Sequence, residues 1–312
     1  MDSSEIAQKV NLLERNIQKV VKGKKEVIRD VIVALLSGGH VLIEDVPGVG
    51  KTTLAQSLAK STNLSYNRIQ FTSDLLPSDI LGVSIFDQNK TEFKFSPGPI
   101  FSSIVLADEI NRATPKTQSA LLQAMSESKV TVDGKTYKLV QPFIVIATQN
   151  PFEYKGTFPL PENQLDRFAI RISIGYPDYE SEKEIMTNSN PYNSSDQLSP
   201  VISKDDILQL QSMVNNVTID ESILEYILDI VNKTRDNSLF DLGVSPRGTI
   251  AFKLAAQANA IVEGRDYCIP DDVKNMAVAV LAHRVIMKTE TSKVSTEEEA
   301  IKEILEQIKV PH

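Results

Sequence analysis

Apolar residues recur every three or four positions at Ile6, Val10, Leu13, Ile17 and Val20, and the pattern breaks at Gly23. This spacing predicts an amphipathic helix, with Asp2 and Glu5 placed to cap its start. A second helix is predicted from about Lys24 to Leu36, stopped by Gly38-Gly39. The pattern then changes. Val41-Leu42-Ile43 is a short continuous apolar run, as in a buried strand, and a new helical face (Leu54, Ala55, Leu58) opens after Lys51. Tyr66 to Phe71 alternates weakly, as a strand does. Residues 72–82 are polar enough for a loop holding a short helix, and Phe93 and Phe95 alternate with Glu92 and Lys94 in a half-exposed strand that ends at Pro97-Gly98-Pro99. Further core strands are predicted at Ile104-Val105-Leu106, at Phe143 to Ala147 and at Ile170, Ile172 and Ile174. Between them, Thr114 and Pro115 mark a helix start whose core face is Leu121, Leu122 and Met125. Asp133-Gly134 joins Val130 and Val132 to Tyr137 and Leu139 in a tight hairpin.

The alternation of strand and helix ends at Tyr176-Pro177-Asp178. Beyond it the chain reads as helical: Asp205 to Val214, Asp220 to Asn232, Pro246 to Glu263, Asp271 to Met287, and a last helix capped by Ser295 and Glu298, after a polar loop from Asn188 to Pro200. The expected division is therefore an α/β part, residues 1–176, and a helical part, residues 177–312.

The chemistry concentrates at strand ends. Val41-Leu42-Ile43-Glu44 runs into Asp45-Val46-Pro47-Gly48-Val49-Gly50-Lys51-Thr52-Thr53, the order of strand, glycine turn and helix that a phosphate-binding loop requires. Glycines let backbone N–H groups surround phosphates, and the helix N-terminus adds partial positive charge. Lys51 is placed to reach the β- and γ-phosphates and the Thr52 hydroxyl to ligate Mg²⁺. Asp45 stands where the usual pattern has its first glycine. Val20, Val21 and Gly23 precede this unit, where a nucleotide base could rest or where the two valines simply pack. The second strong motif is Ile104-Val105-Leu106-Ala107-Asp108-Glu109: an apolar strand delivers two carboxylates at its C-terminal edge. Asp108 suits Mg²⁺, and Glu109 suits the polarisation of an attacking water.

Three further residues carry open readings. Asn150 ends a core strand and could position that water, or could serve the Asn150-Pro151 turn. Arg167 sits at the N-terminal edge of a strand, away from its own phosphate loop, so its partner is a surface carboxylate or a neighbouring subunit's phosphate. Arg247 lies in a first helical turn behind Ser245-Pro246, where a cation opposes the helix dipole; a phosphate partner or plain solvation would account for it.

Composition narrows the classes. The chain has 312 residues, 41% hydrophobic, with a formal charge of −8 and a pI near 5.1. The acidic balance weighs against a nucleic-acid protein. Its start, Met1-Asp2-Ser3-Ser4-Glu5, has no apolar signal region, no run has the length to span a membrane, and Cys268 is the one cysteine, which leaves no internal disulfide or cysteine metal cluster. A cytoplasmic protein is expected. Asn232-Lys233-Thr234-Arg235 lacks the acidic residue of a guanine-reading motif, so ATP is the expected nucleotide.

From about Val20 to Val285 the chain resembles an AAA+ ATPase, and within that group the MoxR family. The resemblance is carried by His40 to Thr52, Arg68 to Asp79, Ala107-Asp108-Glu109-Ile110-Asn111-Arg112-Ala113, Ala147-Thr148-Gln149-Asn150-Pro151, Gln164-Leu165-Asp166-Arg167-Phe168 and Val244-Ser245-Pro246-Arg247. Asp45 is usual in that family. The resemblance implies a P-loop α/β core with a five-stranded parallel sheet, followed by a small all-helical lid. It implies Lys51 and Thr52 as the Walker A pair, Asp108 and Glu109 as the Walker B pair, Asn150 as sensor 1 and Arg167 as an arginine finger acting on the next subunit. Arg247 would be sensor 2, reaching the γ-phosphate of its own subunit. Residues 82–98 would be a helix-2 insert and residues 129–140 a pre-sensor-1 hairpin. It further implies ATP and Mg²⁺ as ligands, a hexameric ring, and a partner such as a von Willebrand factor A domain protein in chaperone-like maturation. Three other readings share parts of the pattern: a nucleic-acid motor, a metal-chelatase ATPase subunit, and a nucleotide-gated scaffold with little turnover. The intact Glu109 argues against the last.

Overall fold

The computed structural model describes residues 3–153, 156–187, 195–288 and 296–311. Two helices lead, α1 (Ser3–Gln18) and α2 (Lys25–Leu36). The core elements follow as β1 (Val41–Glu44), α3 (Lys51–Thr62), β2 (Tyr66–Gln70), α4 (Pro77–Leu81), β3 (Gly82–Asp87), β4 (Glu92–Pro97), β5 (Ile104–Asp108), α5 (Pro115–Glu127), β6 (Lys129–Val132), β7 (Lys135–Lys138), β8 (Ile144–Gln149), α6 (Glu162–Leu165) and β9 (Ile170–Ile172).

Five of these strands form one sheet in the order β2-β5-β8-β1-β9, and every pair is parallel. Strand β1 is held on both sides, with Val41 opposite Ile146 and Ile170. The apolar runs of β1, β5 and β8 are buried on both faces, as parallel strands covered by helices are. Val41, Ile43, Ile104, Leu106, Ile144 and Ile146 pack toward α1, α2 and α3. Leu42, Val105, Ala107, Val145 and Ala147 pack toward α4 and α5. Strand β2, at the edge, keeps Asn67, Arg68 and Gln70 exposed.

The two inserts are hairpins that touch. In one, β3 pairs with β4 along its whole length and Phe93 is well exposed. In the other, Val130 faces Tyr137 and Val132 faces Lys135 across Asp133 and Gly134, both with positive φ, the geometry of a two-residue hairpin turn. Leu139 falls just past the strand, its N–H donating to the Ser128 carbonyl. Phe95 of the first hairpin stacks on Tyr137 of the second at 4.1 Å between ring centres.

The helical part comprises α7 (Tyr179–Thr187), α8 (Lys204–Val214), α9 (Glu221–Arg235), α10 (Pro246–Val262), α11 (Pro270–Leu281) and α12 (Glu297–Gln307). It is not wholly helical. Phe240–Leu242 (β10) pairs antiparallel with Ile286–Met287 (β11). The helix expected from Asp271 to Met287 ends at Leu281, and a single 3₁₀ turn, Ala282–Arg284, follows. It stops because His283 and Arg284 turn inward to the carbonyls of Phe168 and Ala169 instead of continuing along the helix surface. Thr114 occupies the expected cap position, but its hydroxyl lies 3.3 Å from that of Thr117 and accepts no backbone N–H. Thr296 caps α12, accepting the Glu299 N–H. Asp2, Ser295 and the first part of the Asn188–Pro200 loop lie outside the described residues.

Helix α10 is the hub of this part. It packs against α11, α8 and α9 within it, and against α1 and α2 across from it. One continuous hydrophobic cluster thus runs from α1–α3 through α10 and α11 to Ile301 and Ile304 of α12. A polar network reinforces the junction. Buried Asn259 donates to Asp272 (2.8 Å), Arg265 clamps the same carboxylate (2.6 and 2.8 Å), and Arg29 of α2 donates to Asn259 (3.3 Å). Cys268 is buried there, and burial pushes its thiol up to about 12, so it is a packing group. Among the described residues no helix is long and apolar enough to cross a membrane.

His40, just before β1, is buried with Nδ1 accepting the Val145 N–H (3.0 Å) and Nε2 lying 3.2 Å from the Met125 carbonyl. Burial pulls it down to about 4, so it is neutral in the fold at pH 7. Between pH 6.5 and 4 the unfolded chain binds a proton that the folded chain refuses, so stability falls as pH falls. For His40 the full loss is about 3 kcal/mol, reached near pH 4. Urea unfolding across this range should show that decline, and His40→Gln should make the slope shallower.

Candidate nucleotide site

The loop between β1 and α3 has the backbone that phosphate binding needs. Gly48 and Gly50 have φ of 89° and 97°, the left-handed region that residues with a Cβ rarely adopt. Lys51 opens α3 directly behind them. Val46 is half-buried and Pro47 exposed, while Val49, Thr52 and Thr53 are half-buried. The departure at Asp45 has a clear structural role. Its buried carboxylate accepts the Val46 N–H (2.8 Å), the Ser173 hydroxyl (3.0 Å) and the Gly175 N–H (2.6 Å). The loop is thereby tied to the chain leaving β9, which a glycine could not do. Lys51 Nζ donates to the Asp45 carbonyl and lies 3.5 Å from that of Gln149. Burial lowers its pKa, and Asp45, Asp108 and Glu109 act in the opposite direction.

Beside this loop lies a cavity of about 440 Å³, whose lining includes Val20, Val21, Val49, Thr53, Pro177 and Ile185. Its size and mixed lining suit a nucleoside. Gly23 lies outside that lining, at a turn so close to α7 that a Cβ there would meet Ser181 Oγ at 2.5 Å.

The second motif sits where β5 ends. Asp108 accepts the Thr148 hydroxyl at 2.6 Å on one oxygen and Arg68 at 2.6 and 3.1 Å on the other. Glu109 has φ 58° and ψ 50°, a strained conformation for a side-chain-bearing residue. Its N–H donates to Thr148 Oγ1 (2.9 Å), and its carboxylate is held by Gln70 Nε2 (2.8 Å) and by Arg112 Nε (3.2 Å), which also pairs with Glu153. The Asn150 side-chain oxygen accepts the Phe152 N–H at 3.1 Å, so its oxygen serves the turn. Thr148, Gln70 and Arg68 carry no role in the sequence reading above. Their visible signal is the placement of polar residues at the ends of strands flanking β5.

Oxygen donors at Thr52 and Asp108 suit a hard cation such as Mg²⁺. Among the described residues no group of three or more His, Cys, Asp and Glu could hold a metal alone.

The two arginines lie elsewhere. Ala169 donates to the His40 carbonyl (2.8 Å), so the Asp166–Ala169 segment lies where β1 begins, whereas the phosphate loop leaves where β1 ends. Four strand residues separate the two edges, ~13 Å of strand. Arg167 donates to the Leu122 carbonyl (3.0 Å) and the Ser126 hydroxyl (2.9 Å) of α5, and among the described residues no carboxylate pairs with it. Arg247 is exposed and 3.8 Å from Asp166. Arg247 thus stands beside the segment that enters β9. The Ser245 cap bonds Asp166 at 2.9 Å and so draws the start of α10 to the arginine edge.

Residues 40–170 match the family model of ATPases associated with various cellular activities, and residues 232–304 match that of the AAA lid domain. The chain is 52% identical to the uncharacterised Bacillus subtilis protein YeaC over 95% of this chain and 93% of that one. It is 40% identical to chaperone MoxR1 of Mycobacterium tuberculosis, covering 90% and 78%, and 28% identical to protein MoxR of Methylorubrum extorquens, covering 88% and 87%. The crystal structure of a Cytophaga hutchinsonii protein assigned as an ATPase superposes with a TM-score of 0.91 at 40% identity, covering 99% and 97%. Core and lid together define an AAA+ ATPase. Within that class the chain belongs to the MoxR family.

Replacing Asp45 by Ala should strand three donors and lower stability by about 1–3 kcal/mol. It should also shrink the rise in melting temperature that ATP produces, because the loop loses its anchor.

Proposed function

We propose that this chain hydrolyses ATP at sites shared between subunits of a ring, in the presence of Mg²⁺, and uses the cycle to remodel a partner protein. The N–H groups of Gly48, Val49 and Gly50, with Lys51, hold the phosphates, and Thr53, Val20 and Val21 border the base. Thr52 and Asp108 would hold Mg²⁺, which would supply charge neutralisation at the phosphates. Glu109, positioned by Gln70 and Arg112, takes the proton of the attacking water. Asn150 stands at the end of β8 and orients that water.

The observation that carries the reading is the separation of Arg167 and Arg247 from the phosphate loop of their own chain. Both lie at the opposite edge of the sheet, gathered around Asp166. A second copy whose arginine edge meets this phosphate loop completes the site, and repetition of that head-to-tail contact closes a ring. A hexamer is the expected size. Arg247 on this reading serves the neighbour's nucleotide, together with Arg167. The residues 1–176 and 177–312 act as core and lid around the nucleotide. A partner such as a von Willebrand factor A domain protein supplies specificity in the cytoplasm, and the chaperone name of the 40% identical relative supports that kind of work.

Specific ATPase activity should rise with protein concentration as larger species appear by mass measurement. Glu109→Gln should lose about 10²–10⁴-fold and Arg167→Ala about 10³-fold or more, both still binding ATP. Flat activity with an unaffected Arg167→Ala would refute the shared site.

A further inference from the structure

Arg284 is the one buried arginine among the described residues, and it belongs to no motif of the nucleotide site. It leaves the 3₁₀ turn after α11 and enters the segment that carries Arg167. Its Nε donates to the Asp166 carboxylate at 3.0 Å and its Nη1 to the Ala169 carbonyl at 3.1 Å. Its Nη2 donates to the Phe168 carbonyl and lies 3.3 Å from that of Asp166, and its Nη1 also reaches the Val280 carbonyl. The neighbouring His283 lies 3.0 Å from the Phe168 carbonyl through the same nitrogen that contacts Arg284. Burial pulls Arg284 down to about 10, with Asp166 opposing, so the guanidinium is still charged at neutral pH.

The other side of Arg284 faces the helix that carries Arg247. A Cβ on Gly248, in the first turn of α10, would meet Arg284 Cδ at 2.7 Å. Asp166 also accepts the Ser245 hydroxyl, the cap of α10. Arg167 and Arg247 come from distant parts of the chain, and one side chain bonds the backbone on either side of the first and packs beside Gly248, next to the second.

We infer that Arg284, seconded by His283, is a positioning residue that locks the Asp166–Ala169 segment and the start of α10 into one unit, so that Arg167 and Arg247 are presented together to the neighbouring subunit's nucleotide. The inference rests on the shared-site reading above. It assigns the planar fork a task that a point charge cannot perform, because one ammonium cannot span a carboxylate and several carbonyls at once.

The test is complementation between variants with different defects. Arg284→Lys alone should still assemble and bind ATP but hydrolyse it about 10²-fold more slowly, the scale of loss for misplaced catalytic groups. Co-expressed with Lys51→Ala, which lacks its own phosphate contact but keeps the arginine edge, it should recover activity to the level that Arg167→Ala reaches in the same pairing. A merely structural role predicts no such recovery, since a misfolded chain cannot offer its own phosphate loop. Wild-type turnover by Arg284→Lys overturns the inference, as does failure of a folded Arg284→Lys to assemble where Arg167→Ala assembles. Recovery by Arg167→Ala but not by Arg284→Lys overturns it and leaves the shared site standing. Recovery by neither removes the shared site and the inference together. Gly248→Ala, which crowds Arg284 from the α10 side, should show the same slow turnover and the same recovery if Arg284→Lys does not fold.

Discussion

Because all five strands run parallel, the sheet has two unlike edges, and every chemical feature of the molecule is placed by that fact. Parallel strands deliver their C-terminal residues to one side. The phosphate loop after β1, the carboxylates Asp108 and Glu109 after β5, and Thr148 near the end of β8 therefore converge without any of them being close in sequence. The segment entering β9 must lie on the other side, and it carries Arg167. A chain built this way carries its phosphate loop and Arg167 at opposite edges of the sheet.

Two polar devices keep the near edge in shape. Asp45 gives up the conformational freedom of a glycine and in return ties the loop to Ser173 and Gly175. Buried, charge-assisted bonds of this kind are the strong ones. Thr148 donates its hydroxyl proton to Asp108 and accepts the N–H of Glu109, so one side chain registers both carboxylates. The left-handed backbone at Glu109 persists because its N–H and its carboxylate are both held.

The far edge depends on burial of charge. Asp166 meets Arg284, Arg247 and Ser245, and Arg284 is enclosed by core and lid together. Removing one partner from such a pair leaves a charge in a low-dielectric interior, typically at a cost of about 3–5 kcal/mol. That cost makes the junction rigid. The lid cannot tilt away from the Asp166 segment without exposing the pair, and the hydrophobic cluster linking α10 to α1 and α2 acts in the same direction.

Much of this was legible in the residues alone. The three-to-four spacing of Ile6, Val10, Leu13 and Ile17 and the apolar runs at Val41, Ile104 and Ile144 marked helices and buried strands, since both signals come from local backbone geometry. The Gly48-Val49-Gly50-Lys51-Thr52 run and the Asp108-Glu109 pair were visible as candidates for phosphate and metal chemistry, because consecutive residues make up each pattern. Residues 282–287 were not legible: their pattern continues a helix, and only the carbonyls of Phe168 and Ala169, far away in sequence, draw His283 and Arg284 out of it. The roles of Thr148, Gln70 and Arg68 were hidden for the same reason, as each is defined by a strand lying beside it and not by its own neighbours. The direction in which Arg247 faces was decided last of all, by how the lid docks. Local sequence determines which elements form and which loops can bind phosphate. Which side chains meet across those elements is set by long-range packing, and no short stretch of this chain contains that information.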